Sequence, residues 1–207
     1  MELSGKKINF LGDSITYGVG ASCDEMRIPD LVAGMTGAEV RNYGGPGSGF
    51  ARPCNGYDEF WKRVDEMDAD ADVIVVFGGT NDFISSVFAL GDVRELTPQY
   101  ICGAINYTFR KLMEKYPTAT IIALTPTHRC CEEVNSYSTG VTLAEVRDAM
   151  LKICEYYSVP VIDLWKSSGI YPAITAQRQS KMPDGLHPND AGMRAIASRI
   201  AGLLRSL

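Results

Sequence analysis

The stretch KKINFLGDSITYG, residues 6–18, decides the fold class, because it joins a buried strand to the start of a helix through a glycine. Ile8–Leu11 is a short, mainly apolar run of the kind that forms a strand covered on both faces. Gly12 permits a sharp turn, and a helix that starts after it directs its free N–H groups out of the helix end. The stretch therefore predicts one strand-turn-helix unit of an α/β sheet.

Four further runs rich in β-branched residues predict that this unit is repeated along the chain. They are Glu39–Tyr43, Val73–Phe77, Thr120–Leu124 and Val159–Leu164. Strands that alternate with helices imply right-handed crossovers and a parallel sheet, here of about five strands. Ligands of such sheets collect at the carboxyl ends of the strands, so we expect a site in the loops that leave those ends.

Segments with helical spacing of apolar residues lie between the predicted strands. Thr97-Pro98 predicts a helix start with Thr97 as its N-cap, and Thr142 with Glu145 matches a capping box. The last segment carries an apolar stripe that predicts a helix packed on the core, formed by Met193, Ile196, Ile200 and Leu203. Two further helical candidates are Asp24–Met35 and Tyr57–Met67.

The size and charge of the chain narrow the classes of function. A chain of 207 residues that is 45% hydrophobic has the size of one α/β domain, so residues 1–207 are expected to form a single domain. The net charge of -5 disfavours a nucleic acid or an anionic membrane surface as partner and favours a small, weakly charged substrate. No run of about 18 apolar residues and no signal-peptide core is visible, so a cytoplasmic location is expected.

The six cysteines are expected to be free thiols. Their positions show neither the spacing of a disulfide framework nor a C-x-x-C pair. His128 and the adjacent cysteines at 130 and 131 could be imagined as a metal site, but neighbouring cysteines rarely converge on one ion. We therefore predict no metal site.

Only two histidines, His128 and His187, could supply an imidazole base. His187 follows Asp184 by three residues in a glycine-containing turn, where the carboxylate can accept the proton of one ring nitrogen and leave the other free as a base. The competing interpretation is a surface turn in which Asp184 only caps the backbone. The pentapeptide by itself does not separate these two interpretations.

Ser14 stands where a nucleophile needs to stand, directly after the first strand and its glycine turn. A helix N-cap is the alternative role for this serine. Two loops at other strand ends could donate to an oxyanion: the glycines of residues 42–47 and the side-chain amide of Asn81. Either loop could also be an ordinary turn.

Taken together, four sequence blocks resemble those of the SGNH hydrolases, also called the GDSL lipases and esterases. The blocks are Gly12-Asp13-Ser14, the run from Asn42 to Gly47, Gly79-Thr80-Asn81-Asp82 and Asp184-x-x-His187. They occur in family order and cover nearly the whole chain. The first block departs from the family name, because Ile15-Thr16 follows Ser14 where the name has a leucine.

The resemblance implies a three-layer, flavodoxin-like fold with helices on both faces of the sheet. It also implies a catalytic triad of Ser14, His187 and Asp184 and an oxyanion hole made of the Ser14 N–H, the Gly47 N–H and the Asn81 amide. Gly44 and Gly45 are alternatives to Gly47. Asp13 and Asp82 belong to the resemblance as residues that brace the loops. No metal or organic cofactor is implied.

The resulting hypothesis is a serine ester hydrolase that acts on a small-molecule ester. A short acyl group, such as acetyl on a carbohydrate, is favoured because the chain is small and has no obvious long apolar lid; a lysophospholipase or a thioesterase of the same family is the alternative. Six aromatic residues near the proposed loops could line an acyl pocket, stack on a sugar or simply pack in the core: Tyr17, Phe50, Tyr57, Phe83, Phe88 and Tyr171.

Two hypotheses from other classes compete with the esterase. A flavodoxin-like binding module would use residues 12–18 to cradle a phosphate, and this leaves the Asp184–His187 pair unexplained. A metal-dependent phosphoesterase would gather Asp13, Asp82, Asp184 and His187 around a cation. A bound flavin or nucleotide would favour the first, and sensitivity to chelators would favour the second.

Overall fold

A parallel sheet of five strands forms the centre of the computed structural model, which describes residues 2–84, 88–133 and 139–207. In chain order the strands are β1 (Lys7–Gly12), β2 (Glu39–Gly44), β3 (Val73–Phe77), β4 (Thr120–Leu124) and β5 (Val161–Ile162). Their spatial order is β2-β1-β3-β4-β5, with Ile8 opposite Val40 on one side and Val73 on the other. The predicted parallel sheet is therefore confirmed.

Helices cover both faces of this sheet. The α-helices in the described ranges are α1 (Ser14–Tyr17), α2 (Ile28–Thr36), α3 (Phe60–Arg63), α4 (Thr80–Ile84), α5 (Ile101–Lys115), α6 (Leu143–Tyr156), α7 (Leu164–Ser167), α8 (Thr175–Lys181) and α9 (Asp190–Ser206). Single turns of 3-10 helix occur at Asp24–Met26 and Val64–Glu66. None of the helices within the described ranges is both long and apolar enough to cross a bilayer.

Two hydrophobic cores separate the three layers, because side chains alternate between the faces of each strand. On one face Phe10 and Val75 pack with α2 and α9. On the other face Leu11 and Val76 pack with α5 and α6. Helices on both faces confirm the three-layer fold that the family resemblance implies.

β5 is shorter than the sequence predicts. The expected strand is Val159–Leu164, but the pairing with β4 is confined to Val161–Ile162, and Leu164 already begins α7. Pro160 has no N–H to donate, although its carbonyl accepts from Ala123 N–H at 3.0 Å. An edge strand flanked by a proline and a helix start has little backbone left to pair.

Thr97 does not cap a helix, which corrects that prediction. α5 begins at Ile101, with Tyr100 as its N-cap residue, and no side chain caps it. Instead, the Ile101 N–H donates to the carbonyl of Ala89 at 3.1 Å. A neighbouring loop thus satisfies the orphan donor that a capping side chain would otherwise take.

The other helix predictions agree with the structure more closely. The capping box of α6 has both of its hydrogen bonds, from Glu145 N–H to Thr142 Oγ1 at 3.2 Å and from Thr142 N–H to Glu145 Oε2 at 2.8 Å. On α9, Leu203 of the predicted apolar stripe is only partly buried, and the next residue, Leu204, is fully buried instead. The candidates at 24–35 and 57–67 each split into a short α-helix and a 3-10 turn.

The strand order reverses between β1 and β3, and this reversal locates the site. The chain passes from β1 to β2 on one side and then returns to β3 on the other side. The loops that leave the carboxyl ends of β1 and β3 therefore diverge and leave a crevice between them, where ligands of open α/β sheets bind. Ser14 follows β1 and Asn81 follows β3.

Candidate active site

A chain of hydrogen bonds links Ser14, His187 and Asp184. His187 Nε2 lies 3.0 Å from Ser14 Oγ, and His187 Nδ1 lies 2.7 Å from Asp184 Oδ2. Ser14 and His187 are separated by 173 positions in sequence, so only the fold brings them together. A hydroxyl, an imidazole and a carboxylate in this order can move a proton from the hydroxyl to the ring.

The turn at Asp184 performs both roles that the sequence left open. Asp184 Oδ1 accepts from the N–H groups of Leu186 at 2.8 Å and His187 at 2.7 Å, which is backbone capping. The second oxygen, Oδ2, remains for the His187 ring. Gly185 has a φ of +80°, a conformation that favours glycine and closes this turn. These hydrogen bonds lower the pKa of Asp184 and keep it ionised, against the effect of its partial burial.

Asp13, and not Ser14, is the N-cap of α1. Its carboxylate accepts from Ile15 N–H at 2.8 Å, and Ser14 is the first residue of the helix. The alternative interpretation of Ser14 as a cap is therefore wrong. As the first helical residue, Ser14 has an N–H with no partner inside the helix, directed out of the helix end.

Gly47 and Asn81 lie in two loops that are bonded to each other. Asn81 Nδ2 donates to the carbonyl of Ser48 at 2.9 Å, and an amide carries a second N–H that this bond leaves free. Gly47 has a φ of +82°, and a Cβ there would lie 2.7 Å from Cys54 Sγ, so no larger residue fits without rearrangement. Because Ser48 follows Gly47 directly, the bond to Ser48 ties the glycine loop to the Asn81 side chain.

Gly44 and Gly45, the alternatives to Gly47, already use their N–H groups. Gly44 N–H donates to Asn42 Oδ1 at 2.9 Å, and Gly45 N–H donates to the carbonyl of Gly12 at 2.9 Å. Both bonds support the loop and take up the donors. Of the three glycines, only Gly47 has an N–H without a partner among the described residues, so its proposed role as an oxyanion donor stays a prediction.

Asp13 and Asp82 brace the loops from inside the protein. Asp82 is fully buried, and its two oxygens accept from the N–H groups of Phe50 at 3.0 Å and Ala51 at 2.8 Å. Burial raises the pKa of Asp13 to about 7, with its bond to Ile15 N–H opposing the rise. Burial also raises the pKa of Asp82. Neither carboxylate is placed like Asp184, next to an imidazole.

The buried carboxylate of Asp13 should make stability depend on pH. The pKa of the Asp13 carboxyl is about 7 in the folded state, whereas its ordinary value is 3.8. Folding therefore takes up a proton between these two pH values. As a consequence, the free energy of unfolding falls as the pH rises from one to the other. Asn keeps the cap without ionising. We expect Asp13→Asn to gain about 4 kcal/mol of unfolding free energy over the parent between about pH 4 and pH 8, measured by urea unfolding. A difference that does not change with pH would contradict this.

Asp82→Asn is the matched comparison, because both Asp82 oxygens accept from backbone N–H groups. An amide nitrogen in place of one oxygen would face an N–H, so a buried donor would lose its partner. We expect this variant to lose about 2 kcal/mol of unfolding free energy even at high pH, in contrast to Asp13→Asn.

Two arginines that the sequence analysis did not single out hold the site together. Arg63 is 4% exposed; its Nη1 donates to the carbonyl of Gly12 at 3.1 Å and to Ser48 Oγ at 2.8 Å, and its Nη2 donates to the carbonyl of Tyr43. It thereby ties the ends of β1 and β2 to the glycine loop. The only sequence signal was a basic residue inside the candidate helix at 57–67.

Arg129 is the second such arginine and links the loop after β4 to α4. Its Nη1 donates to Thr80 Oγ1 at 3.0 Å, and its guanidinium lies 5.8 Å from the centre of the Phe83 ring. Burial lowers the pKa of Arg129, and the charges of Asp13 and Asp184 are among those that oppose the change. Thr80 precedes Asn81, so Arg129 supports the start of α4.

His128 does not take the place of His187. Its Nδ1 is bonded to Glu132 Oε1 at 2.8 Å, and its ring stacks on Trp165 with 4.0 Å between ring centres. No group of three or more His, Cys, Asp or Glu side chains in the described part of the chain is arranged to hold a metal ion. All six cysteines are free, as expected.

The six aromatic candidates divide between core and surface. Phe50 and Phe83 are buried in the core, which explains them without a substrate. Tyr17 and Tyr171 are exposed, at 45% and 43%, and Tyr57 and Phe88 are intermediate. The loops Gly78–Ser86 and Thr125–Val141, which leave β3 and β4, lie partly outside the described residues.

The chain matches one protein family along most of its length. The model of the GDSL-like lipase/acylhydrolase family matches residues 10–195, which include Ser14, Asn81 and His187. No curated protein matches the chain in sequence.

Solved structures share the fold over the whole chain. One has 35% sequence identity and a TM-score of 0.91, covering 100% of this chain and 99% of its own. A protein from Lactobacillus plantarum has 28% identity and a TM-score of 0.86, with coverage of 99% and 98%. A carbohydrate acetylesterase from Sinorhizobium meliloti has 13% identity and a TM-score of 0.71, with coverage of 97% and 99%.

Proposed function

The chain belongs to the GDSL-like lipase/acylhydrolase family, and on that premise we propose that it is a serine ester hydrolase acting through an acyl-enzyme on Ser14. The observation that carries the proposal is the hydrogen-bonded sequence of Ser14, His187 and Asp184 at 3.0 Å and 2.7 Å. A lone serine hydroxyl is a weak nucleophile, and a base within hydrogen-bond distance is what activates it.

In the acylation step Ser14 Oγ attacks the carbonyl carbon of the ester while His187 Nε2 takes the hydroxyl proton. Asp184 holds the proton on His187 Nδ1, which keeps Nε2 free to accept and stabilises the imidazolium that forms. The imidazolium then gives its proton to the alkoxide, and the alcohol leaves. The acyl group remains on Ser14.

The negative charge that develops on the carbonyl oxygen needs donors. The Ser14 N–H at the start of α1, the Gly47 N–H and the free N–H of the Asn81 amide are proposed to supply them. Each is fixed before substrate arrives, by the helix or by the bonds of its loop. Fixed donors stabilise the oxyanion without reorganising at the moment of reaction.

Water completes the cycle. His187 accepts a proton from water, the resulting hydroxide attacks the acyl-enzyme, and the same donors hold the second tetrahedral oxyanion. The Ser14–acyl bond breaks as the imidazolium returns its proton to Ser14 Oγ. The products are an alcohol and a carboxylic acid, and the mechanism uses no cofactor.

A short acyl group on a carbohydrate is the substrate that we propose. The carbohydrate acetylesterase from Sinorhizobium meliloti has the same fold and supports this choice by analogy. Phe50 and Phe83 are buried in the core and so do not extend an acyl channel, whereas Tyr17, the last residue of α1, is 45% exposed and can meet a sugar ring.

A fluorophosphonate probe, which reacts with activated serines, tests the nucleophile. We expect peptide mapping to find the label on Ser14, no label in Ser14→Ala, and full labelling in the control Ser180→Ala, which removes an exposed serine of α8. Unlabelled, folded protein without esterase activity would contradict the proposal.

A chelator tests whether the reaction needs a metal ion. It should leave the rate of ester hydrolysis unchanged, and strong inhibition by it would favour the metal-dependent phosphoesterase.

The chain-length preference is tested separately with p-nitrophenyl esters. We expect kcat/KM for the acetyl ester to exceed that for the octanoyl ester by at least about tenfold, because Phe50 and Phe83 pack in the core and do not line a channel for a long chain. A preference for octanoyl would favour the lysophospholipase or thioesterase alternative.

A further inference from the structure

A cavity of about 520 Å³ lies between α5, α6 and the loop at residues 93–96, lined by residues that take no part in the proposed ester site. Its lining includes three basic residues, Arg94, Arg110 and Lys152, and two aromatic ones, Tyr156 and Tyr157. None of the described residues that line it is acidic. In a protein of net charge -5, a cavity with this lining calls for a specific explanation.

The three basic side chains of this cavity have no partner among the described residues. Of the 20 lysines and arginines, only Arg94, Arg110, Lys152 and Lys166 make no side-chain hydrogen bond or ion pair there. Three of these four line the same cavity. All three are exposed, so their charges are open to a ligand. By contrast, Arg52, Arg178 and Arg194 each at least contact a sulfur atom of a neighbouring residue.

The two acids nearest to Arg94 in sequence accept hydrogen bonds from backbone groups. Asp92 Oδ1 accepts from the N–H of Arg94 at 2.8 Å, and Glu95 Oε1 accepts from the N–H of Leu96 at 3.0 Å. Asn106 Nδ2 donates to the carbonyls of residues 93 and 95, at 3.0 Å and 2.8 Å, and so fixes the loop on α5. The backbone that carries Arg94 is therefore held in place before any ligand binds.

The cavity also has an apolar side. Tyr156 is 79% exposed and meets the Tyr157 ring edge to face, with 5.0 Å between ring centres, and Leu96 is 48% exposed. Exposed aromatic and aliphatic surface beside unpaired cations suits a ligand with a flat ring and a negative charge, since the ring covers the apolar surface and the anion meets the cations.

We propose that this cavity binds a phosphorylated small molecule that carries a planar ring, such as a nucleotide. Guanidinium groups bind phosphate oxygens in pairs of parallel hydrogen bonds, so Arg94 and Arg110 hold the phosphates, with Lys152 as a further point charge. The ring lies against Tyr156. The cavity volume falls within the range of about 300–1,000 Å³ that small-molecule sites occupy.

Titration calorimetry with ADP on the full chain tests this site. We expect a Kd below about 1 mM, and binding at least about tenfold weaker for adenosine, which lacks the charge, and for pyrophosphate, which lacks the ring. Arg110→Gln and Lys152→Gln should each weaken ADP binding by at least about fivefold. Lys166→Gln is the matched control, since it removes an unpaired cation outside the cavity, and should leave the Kd unchanged.

Folding of each variant is checked by circular dichroism and by its Tm, which do not depend on esterase activity. Absence of ADP binding by the wild-type chain overturns the proposal, as does equal binding of pyrophosphate or of adenosine. Binding that Lys166→Gln weakens as much as Arg110→Gln also overturns it, because general surface charge would then explain the affinity. An acidic peptide that binds while ADP does not would assign the surface to a protein partner instead.

Discussion

His187→Ala is expected to lower kcat/KM for a p-nitrophenyl ester by about 10⁴-fold. The ring nitrogen 3.0 Å from Ser14 Oγ is the only imidazole placed to take the hydroxyl proton, because the other histidine is bonded to Glu132. Without a base the serine attacks as a neutral hydroxyl. The measurement is steady-state hydrolysis of the acetyl ester.

A double variant and a control histidine test the assignment of His187 as the base. Ser14→Ala with His187→Ala should be no worse than either change alone, because the two residues act as one unit. His128→Ala is the matched control and should change kcat/KM by less than about threefold. If His128→Ala were as damaging as His187→Ala, or if His187→Ala kept more than about a tenth of the activity, the assignment of the base would be wrong.

Asp184→Asn carries the second large expected effect, a loss of about 10³–10⁴-fold in kcat with little change in KM. Asparagine keeps an oxygen to accept from the N–H groups of Leu186 and His187, so the turn survives. Its amide nitrogen, however, would face His187 Nδ1, where the aspartate oxygen now lies at 2.7 Å. A donor at that position favours the tautomer with its proton on Nε2, and that nitrogen then cannot accept from Ser14.

A nearby aspartate separates this effect from a general loss of charge. Asp190→Asn removes a carboxylate at the start of α9 that accepts from Ser22 and does not contact His187. We expect it to change kcat by less than about threefold. Unfolding in urea should show that Asp184→Asn is folded. A folded Asp184→Asn with wild-type kcat would mean that the carboxylate serves only as a backbone cap.

The fold was largely predictable, because buried strands and amphipathic helices carry periodic patterns that are local in sequence. Val73–Phe77 and Thr120–Leu124 are strands with the predicted bounds, and the capping box at Thr142 is complete. The predictions that were wrong concern the ends of helices and strands. The start of α5 is set by a bond to Ala89 and the length of β5 by its neighbours, and neither leaves a local pattern.

The site was predictable as a set of residues and not as a structure. Ser14, Gly47, Asn81 and the Asp184–His187 turn were identified from four short blocks, and their catalytic roles stay predictions that the experiments above address. The roles of Arg63 and Arg129 could not be predicted, because an arginine that donates to carbonyls of distant loops has the same local sequence pattern as a solvated arginine. The cavity between α5 and α6 could not be predicted either, because the residues that line it are far apart in sequence.

The sequence by itself determined the alternation of strands and helices, the strand-end positions of the polar blocks and the three-residue spacing that lets Asp184 reach His187. These depend on backbone propensity and on contacts within a few residues. Only the tertiary structure decided that the His187 ring, 173 positions away, lies 3.0 Å from the Ser14 hydroxyl. It also decided that, within the described ranges, Gly44 and Gly45 use their N–H groups while Gly47 does not, and that three basic side chains around one cavity have no partner there. Such facts depend on which surfaces meet when the helices pack on the sheet, and the packing of all layers sets that at once.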